Sequence, residues 1–166
     1  MKNKALIISY NDLEKSTSVF KNKKTVLVGG CFDLIHYGHL KFLEKARKQG
    51  DFLVVALESD EFIKIHKRKL PVHNQSERAE ILSNLIMVDL IVCLPFLKTN
   101  KEYLGLVKKI SPSVIAVTVG DKQIENKKKQ IEKIGGRLVT VIPLLKRFST
   151  RRIVNIFDPP ATLCEA

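Results

Sequence analysis

Five short apolar runs separated by segments of helical period constrain this chain more than any single residue does. The runs are Thr25 to Val28, Phe52 to Leu57, Leu90 to Cys93, Val114 to Val117 and Leu138 to Ile142. Between them lie the helix candidates Gly38 to Gln49, Ser76 to Met87, Lys101 to Ile110 and Ile124 to Ile134. Each run is apolar almost throughout, as strands buried on both faces are, and parallel neighbours need a helical crossover. The right-handed crossover rule then predicts an α/β fold: a single Rossmann-like, doubly wound domain around a five-stranded, mostly parallel sheet.

Local signals set the boundaries. Gly50-Asp51 and Gly135-Gly136 follow helical segments as stops, Asn74 or Ser76 caps the helix carrying Arg78, and Ser111-Pro112-Ser113 ends another. Residues 1–23 read as a lead-in with one short helix from Asn11 to Phe20, and residues 24–157 as the domain. The tail 158–166 has no periodic pattern and is expected to be disordered.

A chain of 166 residues with 45% hydrophobic content supports one core. No apolar stretch approaches the roughly 20 residues that span a bilayer. The N-terminus lacks a hydrophobic signal region, so the expected compartment is cytoplasmic. Cys31, Cys93 and Cys164 are odd in number and far apart, which fits neither a disulfide framework nor a paired-cysteine zinc site. No His/Cys/Asp cluster has dedicated metal-ligand spacing.

Charge narrows the ligand. Lys and Arg total 29 against 17 Asp and Glu, a formal net charge of +12, so the surface field attracts anions. The basic residues are spread along the chain without interleaved aromatics, which points away from nucleic acid.

The chemistry concentrates in Gly30-Cys31-Phe32-Asp33-Leu34-Ile35-His36-Tyr37-Gly38-His39, where the first run hands over to a helix. Such a junction offers unpaired N–H groups and the positive end of a helix dipole to phosphate. His36 and His39, three apart at the helix entrance, can both point into one pocket and donate hydrogen bonds to departing oxygens. Cys31 reads as a small packing residue rather than a nucleophile.

Gly-x-Phe-Asp followed two residues later by His-x-Gly-His resembles the signature of the cytidylyltransferase-like nucleotidyltransferase superfamily. The resemblance covers roughly residues 4 to 156. The region from Ile8 through Ala46 looks like heptose 1-phosphate adenylyltransferase domains. Ser59-Asp60-Glu61-Phe62 followed by Lys67 and Lys69 looks like glycerol-3-phosphate cytidylyltransferase.

The resemblance implies a nucleotide site built from Gly30, Cys31, Phe32, Gly38, Gly120, Asp121, Phe148, Ser149 and Thr150. His36, His39 and Lys67 or Lys69 would be catalytic, the lysine acting on the α-phosphate. Arg78 would bind a substrate phosphate. Asp33 either orients the glycine loop or touches acceptor hydroxyls. Mg2+ would arrive on the triphosphate oxygens, and the family's tendency implies a homodimer.

Three segments depart from the family pattern. Thr118-Val119 replaces a lysine or glycine, Arg151-Arg152 replaces the second threonine and its neighbour, and His66 to Pro71 replaces the heptose subfamily's Lys-Gly-x-Gly-Arg-Pro loop. The expected activity is transfer of a nucleoside monophosphate from ATP or CTP to a phosphorylated sugar or small alcohol, with pyrophosphate released. The rival reading is a non-catalytic nucleotide- or nucleic-acid-binding module on the same fold.

Overall fold

The computed structural model describes residues 3–143, 148, 152 and 153. Its strands are β1 (Leu6–Ser9), β2 (Thr25–Gly30), β3 (Phe52–Leu57), β4 (Leu90–Cys93), β5 (Val114–Thr118) and β6 (Arg137–Ile142). The helices are α1 (Tyr37–Arg47), α2 (Asp60–Phe62), α3 (Gln75–Ser83), α4 (Asn100–Ile110) and α5 (Ile124–Glu132). The strands form one sheet in the order β1-β4-β3-β2-β5-β6, with every neighbouring pair parallel.

Side chains alternate across the sheet and so feed two cores. Val26, Val28, Leu53, Val55 and Ile91 face Phe42, Leu43 and Ala46 of α1 and Ala79 and Leu82 of α3. Leu27, Val54, Ala56, Val92, Ile115 and Val117 face Leu106, Val107 and Ile110 of α4 and Ile131 of α5. This is the doubly wound arrangement that the apolar runs predict.

Among the described residues the sheet has six strands where five were expected. The extra strand, β1, lies inside the lead-in and pairs in register from Leu6↔Leu90 to Ser9↔Cys93. It covers the edge that β4 would otherwise leave with unpaired N–H and C=O groups. Its outer position leaves Leu6 and Ile7 partly exposed, so its four residues carry no burial pattern that reads as a strand.

The helix expected from Asn11 to Phe20 is instead two 3-10 turns, Tyr10–Asp12 and Thr17–Val19. The Ser-Thr-Ser-Val run favours local turns over a continuous helix. Leu13 and Phe20 fasten the segment to the α4 side of the sheet. The expected tail, 158–166, lies outside the described residues.

Strand order reverses at β2, since β3 and β4 extend to one side and β5 and β6 to the other. β2 pairs with β3 as far as Gly30↔Leu57, but with β5 only at Val26↔Val114 and Leu27↔Ile115. Beyond those pairs the two tips part and leave the crevice in which doubly wound folds bind ligands.

Candidate active site

His36 is the N-cap of α1, and its Nδ1 accepts a hydrogen bond from the His39 backbone N–H at 3.3 Å. That bond leaves Nε2 to carry the hydrogen of the neutral ring. The two imidazoles stack with centroids 3.7 Å apart and planes 17° from parallel. Burial lowers the pKa of His36; burial, and then the neighbouring His36, push His39 down to about 4. Both rings are therefore neutral donors at pH 7. The Nδ1 of His39 is buried without a hydrogen bond among the described residues. The Leu34 backbone favours its charged form but does not meet hydrogen-bond geometry.

The turn leading to the helix is tightly built. Phe32 is held at φ 46° and places its ring 5.1 Å from that of His39. A bulky residue in that left-handed conformation costs about 1–3 kcal/mol, a strain typical of functional sites. Gly30 makes it possible, because a Cβ there would meet the Phe32 ring at 2.9 Å. A Cβ on Gly38 would meet the His36 ring at 3.1 Å and Phe148 at 3.5 Å. Phe148 also lies against Tyr37, ring centroids 5.1 Å apart. Ser149 and Thr150 lie outside the described residues.

Lys67 and Lys69 follow β3 on a loop with irregular backbone. After α2 the chain makes a π-helical turn, Ile63–Lys67, and Arg68 follows at φ 52°; π turns are frequent at functional sites. Asp33, only 4% exposed, holds this loop by accepting from Lys69 Nζ at 2.6 Å, Val72 N at 2.7 Å and His73 N at 3.3 Å. Burial alone would raise the Asp33 pKa, but Lys69 and the two N–H donors outweigh it and hold the carboxyl below its usual range. The two lysines thus differ: Lys69 is committed to Asp33, whereas Lys67 makes no ion pair among the described residues and sets its charge near Cys31 and Glu58.

Arg78, expected to reach a substrate phosphate, is fully buried, and its four hydrogen bonds go to protein. Nε donates to His73 O, one terminal nitrogen to Cys31 O, and the other to Glu58 O at 2.9 Å and Asp60 Oδ1 at 2.7 Å. The guanidinium thereby ties the tips of β2 and β3 to α2. The helix bearing it starts from Asn74, which forms a capping box with Glu77. The Cys31 thiol is pushed up by burial, which outweighs the opposing charge of Lys67, so it is protonated at neutral pH.

At the tip of β5, Gly120 sits at φ 78° and Asp121 accepts from Gln123 N at 2.8 Å and Lys127 Nζ at 2.7 Å. The family departure at Thr118-Val119 falls on a shift of register between β5 and β6. Such irregularities re-aim side chains beside active sites.

Two residues of the crevice escaped the sequence reading. Glu58, 8% exposed, follows directly on β3, and its carboxylate accepts from the Tyr103 hydroxyl at 3.0 and 3.2 Å. Burial pushes its pKa up to about 7 against the pull of Tyr103, Lys127, Arg78 and Lys67. Burial, then Glu58 itself, raises the Tyr103 hydroxyl in turn. An acid immediately after six apolar residues, at the carboxyl end of a central strand, was the available signal.

No group of three or more His, Cys, Asp or Glu side chains among the described residues is arranged to hold a metal. The carboxylates of Asp33 and Asp121 are each bound to a lysine. The crevice offers cations and N–H donors and suits an anion. Among the described residues, no helix is long and apolar enough to cross a membrane.

The Cytidylyltransferase-like family matches residues 27–154, and the chain belongs to that family. It is 38% identical over 138 residues to the bifunctional protein HldE of Citrifermentans bemidjiense, covering 81% of this chain and 27% of that protein. It is 36% identical over 124 residues to the FAD synthase of Thermococcus onnurineus, covering 69% of this chain and 75% of that one. The chain thus spans about a quarter of the HldE relatives and three quarters of the FAD synthase.

Among solved structures, a lipopolysaccharide core biosynthesis protein from Thermoplasma volcanium aligns with TM-score 0.60 and 26% identity, covering 74% of this chain and 97% of that one. Pantothenate synthetase from Thermus thermophilus aligns with TM-score 0.66 at 14% identity, covering 89% of this chain and 67% of that one. That second likeness is one of fold alone.

Proposed function

We propose that this crevice transfers a nucleoside monophosphate from a magnesium-bound triphosphate to the phosphate of a small phosphorylated polyol. The observation that carries the reading is the stacked, neutral His36–His39 pair at the N-terminus of α1. An acceptor phosphate oxygen attacks the α-phosphorus in line, the bond to the α–β bridging oxygen breaks, and pyrophosphate leaves with that electron pair. Charge grows on the bridging and β oxygens, where the His36 Nε2–H, the His39 ring and the free N–H groups of α1 stabilise it.

Lys67 neutralises the α-phosphate, since Lys69 is held by Asp33. Asp33 and Arg78 act as positioning residues that fix the Lys67 loop and the tips of β2 and β3. Gly120 and Asp121 border the base and ribose and Phe148 the tail of the triphosphate, a tail to which the family resemblance also assigns Ser149 and Thr150, which lie outside the described residues. Magnesium would be held by the triphosphate oxygens and water rather than by carboxylates of this chain, and would supply charge neutralisation for the departing pyrophosphate.

The likeness to FAD synthase favours ATP over CTP, because FAD contains an adenylyl group. Heptose 1-phosphate, glycerol 3-phosphate and FMN are the acceptors that the relatives and the sequence resemblance suggest, and each joins a phosphate to a polyol. The test is pyrophosphate release from ATP and CTP with each acceptor. His39→Ala is expected to lower kcat by about 10²–10³-fold with the far-UV spectrum unchanged. Near-normal release from that variant overturns the assignment.

A further inference from the structure

Glu58 has no part in the chemistry above, yet it stands buried at the carboxyl end of the central strand β3. It leaves β3 beside the tip of β2, its own N–H donating to Gly30 O at 3.1 Å. The Cys31 thiol and the ammonium of Lys67 lie within electrostatic reach, as do Arg78 and Lys127. A carboxylate offers about four lone-pair positions. Here Tyr103 supplies one hydroxyl hydrogen, poised between the two oxygens. No other donor reaches the side chain among the described residues. A buried acceptor left short of donors is costly, and Glu58 lies within the electrostatic reach of Lys67, the lysine assigned above to the α-phosphate that the acceptor attacks.

We propose that Glu58, oriented by Tyr103, is a specificity-determining residue that accepts hydrogen bonds from hydroxyl groups of the phosphorylated acceptor. The inference rests on the nucleotidyltransferase reading. The surroundings narrow the acceptor's chemistry. A second phosphate is repelled by the carboxylate, and an ammonium by Lys67, which makes no ion pair among the described residues, whereas Arg78 and Lys127 are engaged by Asp60 and Asp121. A neutral polyol meets neither penalty and supplies the donors that Glu58 lacks. The site therefore selects polyol phosphates over phosphoethanolamine, with the phosphate on Lys67 and a hydroxyl on Glu58. Burial of Glu58 keeps the contact free of competing water, which is why one residue can discriminate.

The test compares wild type, Glu58→Gln and Tyr103→Phe. The assays are calorimetric binding of heptose 1-phosphate, glycerol 3-phosphate, FMN and phosphoethanolamine in the presence of a non-hydrolysable ATP analogue, and turnover where it occurs. At pH 8, above the Glu58 pKa of about 7, a hydrogen bond to a charged acceptor implies that Glu58→Gln raises the Kd and KM of the preferred polyol phosphate about tenfold or more. Its kcat and the Kd of the ATP analogue stay unchanged, and Tyr103→Phe shows a smaller shift of the same kind. The preference over phosphoethanolamine narrows in step.

An unchanged polyol-to-phosphoethanolamine ratio in Glu58→Gln overturns the inference. So does a change confined to kcat or to nucleotide affinity. Turnover by wild type with that outcome leaves the nucleotidyltransferase reading standing. Failure of wild type to bind any polyol phosphate overturns both. Tyr103→Phe retains the Glu58 carboxylate and removes only the hydroxyl that orients it, so if Glu58→Gln fails to fold, a wild-type polyol-to-phosphoethanolamine ratio in Tyr103→Phe overturns the inference.

Discussion

Replacing Arg78 with methionine separates two roles for this guanidinium. As a ligand for phosphate it would matter to binding; as the buried clamp seen here it matters to the fold. The substitution keeps the unbranched stem and deletes four hydrogen bonds, to His73 O, Cys31 O, Glu58 O and Asp60 Oδ1. Three backbone carbonyls then lose a partner, the Glu58 contact buried and the other two part-buried, at about 1–3 kcal/mol each while they stay dry. Asp60 is 32% exposed and can turn to water, so its share is small. Removing one partner of a buried pair costs about 3–5 kcal/mol, which fits the low end of the carbonyl sum after relaxation.

With a urea dependence of about 2 kcal/mol per molar for a domain of this size, the unfolding midpoint should fall by about 2 M. Far-UV circular dichroism is the suitable readout, because the chain has no tryptophan. Arg78→Lys should recover little, since one ammonium cannot reach carbonyls lying in different directions. A midpoint shift below about 0.5 M, corresponding to about 1 kcal/mol, together with lost nucleotide binding would refute the clamp and return Arg78 to the substrate.

Other predictions follow from the same geometry. His39 stays neutral in the folded protein down to about pH 4, while the unfolded chain takes up a proton below pH 6.5. Its contribution is therefore lost as pH falls from 6.5 to 4, by about 3 kcal/mol. Urea titrations at pH 7 and pH 4.5 should show that loss, and His39→Gln should flatten it. Lys67→Met should reduce kcat with the melting temperature unchanged, whereas Lys69→Met should lower both by freeing the buried Asp33 carboxylate. Equal effects in both assays would show that the lysines are not divided as described. Gly50→Ala drives a Cβ into the Lys24 carbonyl oxygen, whereas Gly120→Ala meets open space at φ 78°. The first should cost about 1–3 kcal/mol or more and the second about 1 kcal/mol, read from the same urea titrations.

Much of the architecture is legible in the chain because its physical cause is local. Strands buried on both faces must be apolar throughout, so β2 to β5 announce themselves as runs, and the half-exposed edge strand β6 is marked by its β-branched residues Val139, Thr140, Val141 and Ile142; the crossover rule leaves one arrangement for them. The strand-to-helix turn at Gly30 to His39 is equally local, since helix geometry fixes the relation of residues three apart. β1 was not legible, because it is only four residues long and mostly exposed, too short at a sheet edge to show a pattern of its own.

The sequence by itself determined the fold class and the histidine turn. Only the tertiary structure decided which charges are engaged and which are free. Arg78, Asp33, Lys69 and Glu58 are separated by up to 45 positions in sequence, and their partners are backbone carbonyls and side chains on other elements. Hydrogen bonds of that kind depend on where β2, β3 and α4 end relative to one another. Chain spacing carries no record of it, so Arg78 reads as a ligand and folds as a clamp, while Glu58 escapes the sequence reading altogether and folds into a buried place at the end of β3.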